Sequence, residues 1–208
     1  METDLFLAID LIGTFAFAIS GALAAINRQL DIFGVFVVTF VTACGGGGIR
    51  DLCIGSTPPA GLINIEYLSV IFLAIVLCAK FQNILLKLAQ PTLFFDAIGL
   101  GFFAAFGAHK TYLYIPDAEL AILLGTVSAV GGGVIRDIML GRVPVVLTKE
   151  IYASAALLGA IIQVLGEEGW INKHISPWLA ILICTLIRIL SLKYKWNLPA
   201  IKKASDTR

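Results

Sequence analysis

Charge is scarce in this 208-residue sequence: only 14% of its residues are Asp, Glu, Lys or Arg, and the net charge is +1. A soluble domain carries about a quarter charged residues, so a water-facing fold is excluded. There is no long basic run, and without a concentrated positive face nucleic acid is not a partner. The four cysteines, Cys44, Cys53, Cys78 and Cys184, lie in apolar stretches without metal-ligand spacing and read as small hydrophobes. No HExxH segment, no nucleophile with base and orienter, and no Walker or dinucleotide glycine spacing is present. The expectation is therefore no enzymatic activity, no cofactor and no metal site.

What the sequence has is apolar length: 59% apolar residues and a mean hydropathy of +0.93. A transmembrane helix needs about 20 such residues. Seven segments qualify: Leu5 to Ala25, Phe33 to Gly55, Glu66 to Leu86, Thr92 to Tyr112, Ala118 to Leu140, Ile151 to Leu165 and Pro177 to Leu192. The expected fold class is an all-α integral membrane protein of seven transmembrane helices. Trp170, Trp178 and Trp196 fall at span ends, as an interfacial aromatic belt requires. The opening Met-Glu-Thr-Asp has no basic stretch before the first apolar run, so that run is expected to stay as a helix and not to be cleaved as a signal.

Seven spans put the termini on opposite sides. The N-terminal side collects Arg50, Lys110 and Lys173, and the other side collects the remaining 12 of the 15 basic residues. The positive-inside rule then gives an outside N-terminus and a cytoplasmic C-terminus. Lys80 and Arg188 lie one to two turns inside cytoplasmic helix ends and are expected to snorkel; His109 and His174 read as interfacial.

Shifting the sequence by 86 residues superposes Asp10 to Pro58 on Asp96 to Pro144 without a gap, with 18 of 49 pairs identical. The chain is a duplication: a first three-helix unit over 5–86, a second over 92–165, a seventh helix over 177–192 and a tail over 193–208. The stretch Lys87 to Pro91 is too short for another helix, so three-span units must insert upside down relative to each other. That is the inverted 3+3 architecture, in which permeant sites lie near the bilayer centre between the halves.

The repeated motif runs Gly45-Gly46-Gly47-Gly48-Ile49-Arg50-Asp51 in the first half and Gly131-Gly132-Gly133-Val134-Ile135-Arg136-Asp137 in the second. Each glycine costs a helix about 1 kcal/mol against alanine, so both runs are expected to break helices 2 and 5 and make them the pathway helices. The alternative is that the glycines only let helices pack closely. Arg50 and Arg136 each need a carboxylate. Asp51 and Asp137 point elsewhere around the helix, and depth favours Asp10 for Arg50 and Asp96 for Arg136, either as part of a pathway or as structural pins. Thr14, Ser20, Thr39, Thr42, Thr126 and Ser128 are candidates for a polar lining, unless they bond their own helix backbone.

The paired GGGxIRDxxxG segments, Gly45 to Gly55 and Gly131 to Gly141, with Pro58 and Pro144 following, resemble prokaryotic members of the TRIC family of trimeric intracellular cation channels. The resemblance spans nearly the whole chain. It implies a homotrimer with a pore in every subunit, conduction of K⁺ and Na⁺ as permeant ions, kinked second and fifth helices, and an inner-membrane location. The chain lacks the longer polar tail and Lys-Glu-Val signature associated with animal members, so their phosphoinositide site and reticulum location are not implied. Related sequences described as glycine transporters supply a second expectation, a secondary transporter of a small solute.

Overall fold

A computed structural model of the chain describes residues 2–85, 90–148 and 151–196. Most of the linker between the repeats and the tail beyond 196 lie outside the described residues. Seven principal helices follow one another: α1 (Glu2–Ile26), α2 (Ile32–Cys53), α3 (Ile65–Leu85), α4 (Pro91–Tyr114), α5 (Ala118–Met139), α6 (Ala153–Glu167) and α7 (Ser176–Tyr194). Two four-residue helical turns, Ala60–Ile63 and Val145–Thr148, follow α2 and α5 at matching places. The protein is an all-helical, multi-pass membrane protein. Six of its helices have the length and apolarity to cross a bilayer. The sixth segment is shorter than the rest, 15 residues or about 22 Å at 1.5 Å per residue.

Local chemistry sets the helix ends twice over. Asp31 caps α2 by accepting from the Gly34 amide at 2.7 Å, and Asp117 caps α5 by accepting from Leu120 at 2.7 Å. Gly55 (φ 72°) and Gly141 (φ 64°) then end the same two helices in the left-handed region, which costs glycine nothing. Pro91 and Pro177 stand in the first turns of α4 and α7, where no amide hydrogen is needed.

The expected breaks in helices 2 and 5 are not found. Both α2 and α5 run as single helices through their glycine runs, because tertiary contact across the glycines outweighs their poor propensity. The non-helical backbone lies in α3 instead, at Phe81 (φ −107°, ψ 20°).

α1 packs on α2 and α3 as α4 packs on α5 and α6, while α1 against α4 and α2 against α5 join the halves. α7 closes on α4 and α6. The repeat-related α1 and α4 are the most enclosed helices, with 67% and 56% of their apolar windows buried against 22% for α3. In lipid such burial reflects close packing of small residues more than hydrophobic drive, and Ala18, Ala22, Ala104 and Ala108 are fully buried.

Candidate functional site

The site begins at the crossing of α2 and α5. A Cβ placed on Gly46 would collide with the carbonyl oxygen of Ser128, and one on Gly132 with the carbonyl oxygen of Thr42. Ser128 is the repeat partner of Thr42, so each helix meets the other at the same address. Contacts run Thr42 with Gly132, Gly46 with Ser128 and Arg50 with Ser128, an antiparallel crossing consistent with inverted halves. Gly45 and Gly131 pack into the same contact, each with an added Cβ 3.0 Å from the opposite helix. Gly47 and Gly133 face the neighbouring charged groups, and Gly48 has nothing within 4 Å. Four of the seven glycines therefore serve close helix approach.

One turn beyond the crossing on either side lies a cluster of buried charge. Because the helices are antiparallel, the two clusters fall on opposite sides of the crossing. Asp10, Arg50, Asp51, Asp96, Arg136 and Asp137 are all at most 4% exposed.

In the first cluster Arg50 donates through Nε (2.9 Å) and Nη2 (2.7 Å) to Asp51 Oδ1, and its guanidinium lies 5.0 Å from the Phe106 ring centre. Lys110 reaches the same carboxylate oxygen at 2.8 Å. The other oxygen of Asp51 accepts from the Ala60 amide at 3.1 Å, tying down the segment after α2. Asp10 takes its hydrogen bond from the hydroxyl of Tyr67. The expected Asp10 to Arg50 pair thus gives way to Asp51: the long arginine side chain folds back along its own helix to the next residue, a reach that radial reasoning about helix faces does not capture.

In the second cluster Arg136 donates through Nε to Asp137 Oδ1 at 3.0 Å and through Nη1 to both Asp96 Oδ1 (2.6 Å) and Ser20 Oγ (2.8 Å). Here the carboxylate of the central helix does hold the arginine. Asp137 Oδ2 accepts from the Val145 amide at 3.1 Å, repeating the Asp51 to Ala60 tie. Arg188 is fully buried, its guanidinium 4.8 Å from the Tyr152 ring centre. It does not snorkel. Its three nitrogens have no hydrogen-bond partner among the described residues.

The candidate polar lining divides. Thr39, Thr42 and Thr126 bond the carbonyls four residues back, Val35, Val38 and Ile122, at 2.6 to 2.8 Å, satisfying their own helices. Ser20 and Ser128 reach the arginines instead, the latter at 3.4 Å. Thr14 is fully buried in α1. His109 bonds Glu167 at 2.6 Å and stacks on Phe6.

Tyr67, Tyr152, Lys110 and Arg188 were not singled out by sequence for these clusters. The two tyrosines stand 85 residues apart, one short of the repeat offset, and beyond the ungapped match. That near-coincidence was the available signal. A narrow cleft of about 10 Å³, room for one water, is lined by Asp10, Arg50, Asp51, Tyr67, Gly47 and Phe103 among others.

The family model described as "Glycine transporter" matches this chain twice, at residues 7–83 and 93–168, with starts 86 residues apart. A crystal structure described as a prokaryotic TRIC channel in 0.5 M KCl is 37% identical with a TM-score of 0.86, covering 95% of this chain and all of that one. The chain belongs to the TRIC family. A TRIC structure described as a basis for conductance through TRIC cation channels is 39% identical over 98% of both chains, TM-score 0.85, and the TRIC orthologue of Rhodobacter sphaeroides is 31% identical, TM-score 0.85, over 92% of this chain and 99% of that one. Among bacterial relatives, the UPF0126 membrane proteins of Vibrio cholerae and Bacillus subtilis are 35% and 36% identical over 96% and 92% of this chain, and 84% and 94% of theirs.

Proposed function

We propose that this TRIC protein is a cation channel conducting K⁺ and Na⁺, with a path in each subunit between the inverted repeats, alongside α2 and α5, and that it works as a homotrimer in the bacterial or archaeal inner membrane. The observation that carries the reading is the likeness to solved TRIC cation channels along nearly the whole chain. The site supports it. Each cluster holds two cationic and two carboxylate side chains, Arg50, Lys110, Asp10 and Asp51 on one side and Arg136, Arg188, Asp96 and Asp137 on the other. Three of these carboxylates, Asp51, Asp96 and Asp137, are already shared with resident cations and hold a passing ion weakly, and conduction needs entry without capture. A divalent ion would demand more free oxygen ligands than either cluster offers. The 12 to 3 asymmetry of basic residues supports a cytoplasmic C-terminus.

Reconstituted protein in a planar bilayer should give unitary current steps, with reversal potentials under mixed K⁺ and Na⁺ gradients reporting selectivity. The description of the matching family model favours one other reading, a glycine transporter; saturable, stoichiometric glycine uptake into proteoliposomes without unitary currents would establish it in place of the channel. Crosslinking in mild detergent should yield species up to three subunits; a clean monomer would remove the trimer.

A further inference from the structure

The two charge clusters are separated by a pair of rings. Phe17 of α1 and Phe103 of α4 are identical residues at the repeat offset of 86, and they stack on each other with ring centres 5.2 Å apart and planes 14° from parallel. A residue that touches its own repeat partner lies on the pseudo-two-fold axis. Both are buried, at 1% and 3% exposure.

The neighbours of the stack fix its place. Phe103 lines the cleft that holds Asp10, Arg50 and Tyr67, and its ring lies 3.7 Å from where a Gly47 Cβ would stand. Gly13 leaves room for the Phe103 ring, and Gly99, the repeat partner of Gly13, leaves room for the Phe17 ring. The pseudo-symmetry therefore sets Phe17 toward the Asp96 and Arg136 side as Phe103 faces the Asp10 and Arg50 side. At the level of the α2 and α5 crossing, backbone meets backbone at Gly46 and Gly132. The ring stack is thus the contact of α1 with α4 at the axis, with one cluster to either side of it. Two stacked phenyl groups offer no oxygen to replace a hydration shell. Hydrophobic constrictions of this kind stop ions by excluding water.

We propose that the Phe17 and Phe103 stack is the barrier of the permeation path and sets the rate at which ions cross between the clusters; the inference rests on the channel reading above. The test uses Phe17→Leu, Phe103→Leu and the double variant in the full chain, with Phe→Met at the same positions as a second, bulk-conserving series. Planar bilayer recordings, stopped-flow osmotic water flux into proteoliposomes, and thermal unfolding are measured together. Each single leucine should raise conductance or open probability, and water flux, several-fold; the two singles should agree because the rings are symmetry mates, and the double should exceed both. Folded variants with unchanged current and unchanged water flux would overturn the barrier, leaving the stack a packing contact. Absent unitary current in the unsubstituted protein, with water flux still raised by leucine, would overturn the channel reading while keeping the barrier.

Discussion

Arg50 and Arg136 come from one duplicated motif, yet their surroundings differ. Around Arg50 the central-helix carboxylate, Asp10, is held by Tyr67, and the arginine turns to Asp51, which also takes Lys110. Around Arg136 the central-helix carboxylate, Asp96, bonds the arginine directly, and a fourth charged group, Arg188, comes from α7 outside the repeats without a hydrogen-bond partner among the described residues. The duplication fixes the Arg-Asp pair and the helix-end ties. Which carboxylate carries the cation is decided by what each half meets: α3 and its tyrosine on one side, α6 and α7 on the other.

The largest test of this difference is Asp96→Asn against Asp10→Asn. Breaking the direct Asp96 to Arg136 pair should cost about 3 to 5 kcal/mol, whereas Asp10→Asn weakens a hydrogen bond to Tyr67 and should cost about 1 to 2 kcal/mol. Unfolding in detergent measures both. A double-mutant cycle should show strong coupling for Asp96 with Arg136 and little for Asp10 with Arg50; equal losses and equal coupling would erase the distinction between the clusters.

Next in size are Gly46→Ala and Gly132→Ala. Each added methyl meets a carbonyl of the opposing helix, so each should destabilise by about 1 to 3 kcal/mol and by similar amounts. Unequal losses in the same unfolding assay would show that the crossing is less symmetric than its contacts.

Lys110→Leu should cost about 1.5 kcal/mol or more, because Asp51 loses a charged donor. Arg188→Leu should be neutral or stabilising, since it removes a buried guanidinium that no described side chain accepts. A large loss on Arg188→Leu would mean that the two added cations play equal structural parts.

The smallest effect belongs to Gly48→Ala. The site is open, with nothing within 4 Å, and the second half already carries Val134 there. Stability should rise by up to about 1 kcal/mol from helix propensity alone, and crosslinking should be unchanged. A loss would place an unseen neighbour, such as another subunit, at that face.

Much of this molecule was legible in its residues. Apolar segment length marked the helices, and the 86-residue offset marked the duplication, because a bilayer leaves the backbone few ways to satisfy its hydrogen bonds and because identical glycines, arginines and aspartates recur at fixed spacing. Asp31, Asp117, Gly55 and Gly141 set the ends of α2 and α5 through chemistry confined to a single turn, although only the structure showed them as caps.

The glycine runs show where that legibility stops. Propensity is local and reads Gly45 to Gly48 as a break, but the opposing helix rewards the absence of a side chain, and that reward exists only once α5 is in place. The same holds for Arg50, Lys110 and Arg188. A sequence records that a cation lies within an apolar span and thereby that it needs compensation; it does not record which carboxylate or ring lies within a side chain's reach, since long side chains bend along and between helices. What the sequence determined by itself was what is periodic or local: span, cap, repeat. What the tertiary structure alone decided was which groups share the low-dielectric interior, because a buried charge is settled by its nearest neighbours in space, and in this chain those neighbours come from helices far apart in sequence.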